Sequence, residues 1–458
     1  MSAGKRLFWV WVVAGAVLLG AAWAAQALTA SLAAALVLLA WDLSLGSFVV
    51  QHALAAVPAA KSPASAPISV LIAAYDEAPR VVASVASVLA QQGVEYEILV
   101  GDDGSRDETF ALATKTFAGD SRVSVSTHAH AGKAAVLNRL LASARHPLVL
   151  TLDADSALAP GAMQALSARF ADPLVEAAAA TMHIRTPRHL LTHFQTTEYI
   201  RNNFVRQAWA HLGALEQVPG ACAAFRTRAL RAVGGFPLDS ITEDYEVIYR
   251  LYARAALQRR PITIAFVGEA VAFTDGPRGL GGFFRQRTRW FAGFLRTLVR
   301  FRALLFNRHA GLFGLVKLPL KVIDALIPLS SVVFLALVLF GATRSDPHVQ
   351  RLSWALFVAR WLWDAVCYAA LLRRDQARAP FAQPLWVWGC AVSEALSYAW
   401  LRYAVQICAY PMAMLRQRNW TPPRSLAEQP KTALARNPVS QSEESDRRVM
   451  RDAGDLLR

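Results

Sequence analysis

Four groups of residues able to do chemistry follow one another along the 458-residue chain: Asp102-Asp103, Asp153-Ala154-Asp155, Thr242-Glu243-Asp244 and Gln286-Arg287-Thr288-Arg289-Trp290. Carboxylates brought near one point can hold a divalent cation and deprotonate a hydroxyl. Asp153 and Asp155 flank one small residue after an apolar run. That spacing suits Mg2+ or Mn2+, which takes a carboxylate or two and completes its shell with phosphate oxygens. An ion so held acts as a Lewis acid on a departing diphosphate. Pro219-Gly220-Ala221 and Gly234-Gly235-Phe236 suggest a close-approach pocket, in which Asp244, beside Glu243, is the natural general base. Thr242-Glu243-Asp244 reads equally as a helix start, with Thr as N-cap and two acids complementing the dipole. In the closing pentad, helical spacing sets Gln286 and Arg289 on one face, with Trp290 one turn from Gln286. Arg289 can then bind a pyrophosphate and Trp290 can floor a sugar ring. The same residues also suit an aromatic-basic membrane anchor, and the two roles are compatible.

Weaker signals accompany these. Tyr75, in Ala73-Ala74-Tyr75-Asp76-Glu77, can stack on a nucleobase; the alternative is a surface turn opening a helix. Asp103, followed by Gly104-Ser105, can accept a hydrogen bond from a uracil N–H or a ribose hydroxyl, or simply shape a tight turn. Lys133 after Gly132 stands at a helix start, where anions are attracted, although a solvated lysine fits as well. His128 and His130 straddle one residue but have no evident third ligand, so no metal is expected there.

The elements that must position these residues form an α/β domain between apolar blocks. Ile68 to Ala74, Glu97 to Gly101 and Leu148 to Leu152 read as strands, with helices from Pro79 to before Gly93 and from Ala134 to Ala144. The alternation predicts a mostly parallel sheet with helices on both faces, and ligands gather at the carboxyl ends of such strands. Tyr75, Asp103 and Asp153 fall there. Residues 1–58 hold two membrane-length apolar runs and are expected to form a transmembrane hairpin. Residues 59–66 are a Pro/Ser/Ala linker, 67–281 the α/β domain and 282–310 a basic, aromatic, amphipathic interfacial helix. Residues 311–415 are a second membrane region, in which Asp324, Asp364, Glu394 and Arg402 must face protein or a wet cavity, and 416–458 are a polar tail. Lys5-Arg6 before the first run places the domain on the cytoplasmic side of the cell (inner) membrane.

Composition agrees. The chain is 55% hydrophobic with net charge +15, and it has no interleaved basic and aromatic module of a nucleic-acid binder. Lys and Arg are instead gained on a cytoplasmic membrane face and around diphosphates. Cys222, Cys367, Cys390 and Cys408 lack the spacing of a zinc site or a disulfide framework.

Jointly and in this order, the motifs from Ile68 to Trp290 resemble family 2 glycosyltransferases of the processive membrane type, the hyaluronan, chitin, cellulose and poly-N-acetylglucosamine synthases. The resemblance implies a GT-A-type domain inserted between transmembrane helices and an inverting transfer from a UDP-sugar to a growing β-linked glycan. By that resemblance Tyr75, Glu77, Asp103, Lys133, Asp153 and Arg289 bind the nucleotide sugar, and Asp155 with Asp153 holds Mg2+ or Mn2+. Asp244, with Glu243, supplies the base, and Gln286, Trp290 and Gly220 border the acceptor. Asp76 stands where the family usually has Asn. A rival with a similar motif set adds one sugar to a lipid, as ceramide glucosyltransferases do. Membrane lipid is an implied partner under either reading, and a small membrane subunit is left open.

Overall fold

The computed structural model describes residues 65–277, 279–341 and 384–414, with scattered helical positions between 347 and 371. The expected hairpin at 1–58 and the tail at 416–458 lie outside the described residues, as do most of the linker and Asp364.

Strand β1 (Ile68–Ala74) leads into helix α1 (Ala78–Leu89), then β2 (Tyr96–Asp102), α2 (Thr109–Phe117), β3 (Val123–Thr127), α3 (Lys133–Ser143) and β4 (Leu148–Leu152). These four strands are parallel in the order β3-β2-β1-β4, as the alternation predicts. A short β5 (Ala157–Leu158), α4 (Ala162–Arg169), β6 (Val175–Ile184), the long α5 (Leu190–His211), β7 (Cys222–Arg226), α6 (Thr227–Ala232), α7 (Glu243–Leu257) and β8 (Thr263–Thr274) complete the domain. Here the expectation of a mostly parallel sheet needs correction. β7 enters antiparallel between β4 and β6, and β5 is antiparallel to β8, so the eight-stranded sheet is mixed. Strand direction was hidden because β6 and β7 are Ala-rich and buried on both faces, so neither shows the alternation that marks an antiparallel strand.

The pleat sorts side chains between two cores. Ile68, Val70, Ile72 and Ala74 pack with Val81, Val85 and Val88 of α1, whereas Leu71 and Val149 face Val136, Leu137 and Leu140 of α3 on the other side. Helix α8 (Leu280–Arg300) then carries the pentad across the end of the domain. Its buried face includes Phe283, Arg287, Phe291 and Leu298. A π-turn (Phe313–Lys317) leads into α9 (Leu318–Gly341), interrupted by Pro328, followed by α10 (Pro384–Ser393) and α11 (Tyr398–Met414). Among the described residues no helix is long and apolar enough to cross a membrane. The charges expected inside the second apolar region are paired: Asp324 with Lys321 at 3.2 Å, and Glu394 with Arg402 at 2.9 Å.

Candidate active site

The acids sit where strands end. Beyond β4, the Asp153 backbone N–H donates to the Ala221 carbonyl at 3.2 Å, and its carbonyl accepts from the Ser84 hydroxyl at 3.3 Å, which fixes the turn. Asp155 follows. Its Oδ1 accepts from the hydroxyls of Ser156 at 3.1 Å and Thr274 at 3.4 Å, and its carbonyl accepts from Arg185 Nη2 at 2.9 Å. Burial, and then the charge of Asp153, push the Asp155 carboxyl up to about 6.

Lys133, at the first turn of α3, donates from Nζ to Asp153 Oδ1 and lies 3.3 Å from Glu243 Oε1. Burial alone would lower this ammonium, but Asp153 and Glu243 hold it well above the ordinary lysine value, so it stays cationic. Glu243 and Asp244 open α7. Thr242 sits at the N-cap position, with Glu243 and Asp244 in the first turn as the alternative reading has it, although its side chain makes no capping bond. Burial would raise Glu243, yet Lys133 outweighs it and lowers the carboxyl. Asp244, one residue on, is pushed up to about 6 by burial and then by the charge of Glu243. Neighbouring carboxylates driven apart in this way are the mark of divided acid–base roles.

Gly220 is packed onto Asp244. A Cβ built there would lie 2.7 Å from Asp244 Oδ2 and 3.0 Å from its Cγ. Gly293 of α8 meets α7 just as closely, since a Cβ there would run into the Thr242 side chain. From α8, Gln286 Oε1 accepts from Gln195 Nε2 at 3.5 Å, and Arg289 is exposed. Trp290 is half-buried, with the Arg287 guanidinium 4.6 Å from its ring centroid.

These side chains line one cavity of about 750 Å³. Lys133, Asp153, Asp155, Gly220, Glu243, Asp244, Gln286, Arg289 and Trp290 line it, together with Asp324, Trp361, Glu394, Trp400, Arg402 and Tyr403 from the later helices. Asp324, Glu394 and Arg402, the described charges of the second apolar region, are thus both cavity-lining and engaged between side chains.

Three expected residues stand apart from this cavity. Tyr75 follows β1, its ring 4.6 Å from that of His130. Glu77 pairs with Arg80 at 2.6 Å, and Arg80 continues to Asp275 at 3.1 Å. Asp103 is buried, and its two oxygens accept from the backbone N–H groups of Ala131 at 2.8 Å and Gly132 at 2.9 Å. In this structure it shapes the loop that delivers Lys133. The Gly234-Gly235-Phe236 loop also lies off the cavity. Phe236 is bonded through both backbone groups to the Asn138 amide at 2.7 Å, an approach that glycines at φ 82° and 71° permit.

Sequence reasoning passed over Arg287. It is buried and forked onto Glu198 of α5 at 2.8 and 2.7 Å, and the Tyr398 hydroxyl of α11 donates to the same carboxylate at 2.7 Å. Burial would raise Glu198, but the Arg287 guanidinium, then Arg402 and Arg201, hold it down at about 2. The partner lies 89 residues away, so no local pattern could announce it. Arg206 of α5 also lines the cavity, half-buried, with Nη1 3.3 Å from Asn203 Oδ1.

Among the described residues no group of three or more His, Cys, Asp or Glu side chains could hold a metal ion. The fit therefore rests on Asp153 and Asp155. A carboxyl raised by burial and by a second carboxylate is the environment a divalent cation relieves, and diphosphate oxygens would complete the shell.

The family model described as glycosyltransferase like family 2 matches residues 64–293. Poly-beta-1,6-N-acetyl-D-glucosamine synthase of Staphylococcus aureus (strain COL) is 29% identical over 235 residues, 51% of this chain and 56% of that protein. The synthase of the same name from Staphylococcus epidermidis is 29% identical over 235 residues with the same coverage. The matched stretch thus spans little more than half the length of these curated relatives. Among solved structures, a mannosyltransferase from Pyrobaculum calidifontis in complex with GDP-Man and Mn2+ has TM-score 0.50 and 20% identity, covering 81% of this chain and 99% of that one. That likeness is one of fold.

Proposed function

The chain belongs to glycosyltransferase like family 2, and from that premise we propose that its cavity transfers a sugar, with inversion, from a UDP-sugar to the end of a growing β-linked polysaccharide. The observation that carries this reading is Asp244: a half-buried carboxyl pushed up to about 6, bordering the cavity that Arg289 and Trp290 also line. A base near the working pH combines a large ionised fraction with real proton affinity.

The reaction is one displacement. Asp244 takes the proton of the acceptor hydroxyl, and the freed oxygen attacks the anomeric carbon from the face opposite the diphosphate. The bond from that carbon to the β-phosphate oxygen breaks, and its electron pair leaves with UDP. Asp153 and Asp155 would hold Mg2+ or Mn2+, which when bound supplies Lewis-acid charge for the departing diphosphate. Arg289 adds a fixed cation to the same leaving group. Trp290 offers the acceptor sugar a ring face, and Gln286, held by Gln195, offers its amide. Glu243 keeps Lys133 close to the base and so sets its electrostatics.

The catalytic domain lies on the cytoplasmic face of the cell membrane in this reading, anchored by residues 1–58 and 311–415. Exposed Ile323, Leu326 and Leu329, which span about a third of the circumference of α9, support a lipid-facing surface. The name of the relatives puts UDP-N-acetylglucosamine first among donors to test.

The test is UDP release by purified protein in detergent across UDP-sugars and GDP-mannose, with Mg2+ or Mn2+ and after chelation, followed by sizing of the product. A metal-dependent polymer from one UDP-sugar is expected. A single sugar on a lipid would replace the polymer reading, and turnover only with GDP-mannose would replace the donor.

A further inference from the structure

A second cavity, of about 320 Å³, opens away from the residues of the acid cluster and is lined by Arg259, Arg260, Arg308 and His309 with Tyr252 and Ile262. Its cations come from two places, the turn between α7 and β8 and the short helical turn Arg308–Ala310 ahead of α9. No carboxylate lines it. Arg260 is neutralised by Glu176 at 2.5 Å. Arg308 Nε reaches only His309 Nε2 at 3.4 Å, and neither Arg259 nor Arg308 has an acidic partner among the described residues. Arg259 and Arg308 are both exposed, so water solvates them in the free protein, and an anion lodged in the cavity would gain from both.

The surroundings indicate what carries the anion. Arg259 and Phe306 both adopt left-handed backbone, at φ 50° and 58°, which L side chains rarely take. At Phe306 the conformation is pinned by its N–H donating to the Gly314 carbonyl at 2.9 Å, and the ring is left 70% exposed, two residues from Arg308. Leu315 is exposed on the adjoining turn, and the apolar row of Ile323, Leu326 and Leu329 begins about two helical turns further on. Unpaired guanidiniums beside exposed aromatic and aliphatic side chains match a phosphate attached to hydrocarbon, not a phosphate in water.

We propose that this cavity binds the headgroup phosphate of an anionic phospholipid, with Arg259 and Arg308 on the phosphate oxygens and Phe306 and Leu315 in the acyl boundary. The proposal rests on the membrane-embedded, cytoplasmic-domain reading given above. It adds a lipid-selective contact at the base of α9, separate from the donor and acceptor residues.

The experiment uses full-length protein in detergent and its Arg259→Gln/Arg308→Gln variant, with bound lipid counted by native mass spectrometry. Phosphatidylglycerol and phosphatidylcholine of identical chains are titrated, with inorganic phosphate as competitor. The wild type should prefer phosphatidylglycerol. Each cation near an anionic headgroup is worth about fivefold, so the variant should lose roughly 30-fold of that preference. UDP release in detergent and the melting temperature should stay at wild-type values. Phe306→Ser should weaken both lipids alike. Undiminished selectivity in the double variant overturns the proposal, as does displacement of the lipid by an equal concentration of phosphate, which would make this a soluble-anion site. Alkaline carbonate washing of cell membranes separates the two levels of inference. Release into the wash would sink the membrane reading itself, whereas a retained protein with unselective lipid binding would sink only this site.

Discussion

Replacing Gly220 by alanine should disable turnover while leaving the fold intact, and the packing around Asp244 says by how much. The added Cβ would stand 2.7 Å from Asp244 Oδ2, 3.0 Å from Cγ and 3.2 Å from Cβ. Ordinary van der Waals contact begins nearer 3.5 Å, so relief requires a shift of about 0.5 to 0.8 Å. Rotating the carboxylate tip is not enough, because the Asp244 Cβ and Cγ are crowded as well. The whole side chain must retreat from the cavity. Backbone strain does not confuse the result, since Gly220 is absent from the glycines with positive φ. A misplacement approaching 1 Å costs a reacting group on the order of 10²-fold. The assay is initial-rate UDP release at saturating donor, with a thermal melt alongside. A fall in kcat of about 10²-fold, with the donor KM and the melt little changed, is expected. A kcat within twofold of wild type would refute the idea that the position of Asp244 is what Gly220 protects.

Turnover should also follow the protonation of Asp244. Its carboxyl is pushed up to about 6 and the reaction needs the charged form, so kcat/KM should be level above pH 7 and fall tenfold per unit below 6; a rate independent of pH down to 5 would assign the base elsewhere. Asp244→Asn should retain UDP in a binding titration while losing about 10²- to 10⁴-fold in turnover, and wild-type-like turnover would remove it as base. Arg287→Met should strip the buried Glu198 carboxylate of its forked partner, leaving Tyr398 and Arg402, and cost up to about 3 kcal/mol in denaturant unfolding, whereas adding Glu198→Leu should recover part of that loss; no recovery would mean that the pair is not the source.

What could be read from the sequence was local. β1, β2 and β4 are short apolar runs, and the reactive residues follow each run within a residue or so, so both the strands and the positions of Tyr75, Asp103 and Asp153 were legible. The pentad lies on one helix, so its spacing alone placed Gln286, Arg289 and Trp290 together. Whatever depended on distant partners was hidden. Asp103 looked free to meet a nucleobase, but the amides that occupy it come from residues 131 and 132, which only the β2–β3 crossover brings near. The antiparallel insertion of β7 left no mark, because an Ala-rich strand buried on both faces looks the same in either direction. Arg287 looked like another basic residue on an interfacial helix until α5 supplied Glu198.

The two central acidic clusters repeat one arrangement. In each, one carboxylate is engaged by Lys133: Asp153 after β4, and Glu243 at the head of α7. The other member, Asp155 or Asp244, makes no direct contact with that cation and is pushed up to about 6 by burial and by its own neighbour's charge. One ammonium therefore sorts four carboxylates into two that are satisfied and two that still gain by taking up positive charge. For Asp155 that charge fits a divalent cation, since a second carboxylate, Asp153, lines the same cavity and the proposed donor would bring a diphosphate. For Asp244, which lines the cavity with Trp290 and Gly220, it fits the proton of a sugar hydroxyl. The helix-start lysine, which the sequence left open as a solvated side chain, is engaged by one acid of each cluster; under the proposed transfer it would couple the donor half of the site to the acceptor half.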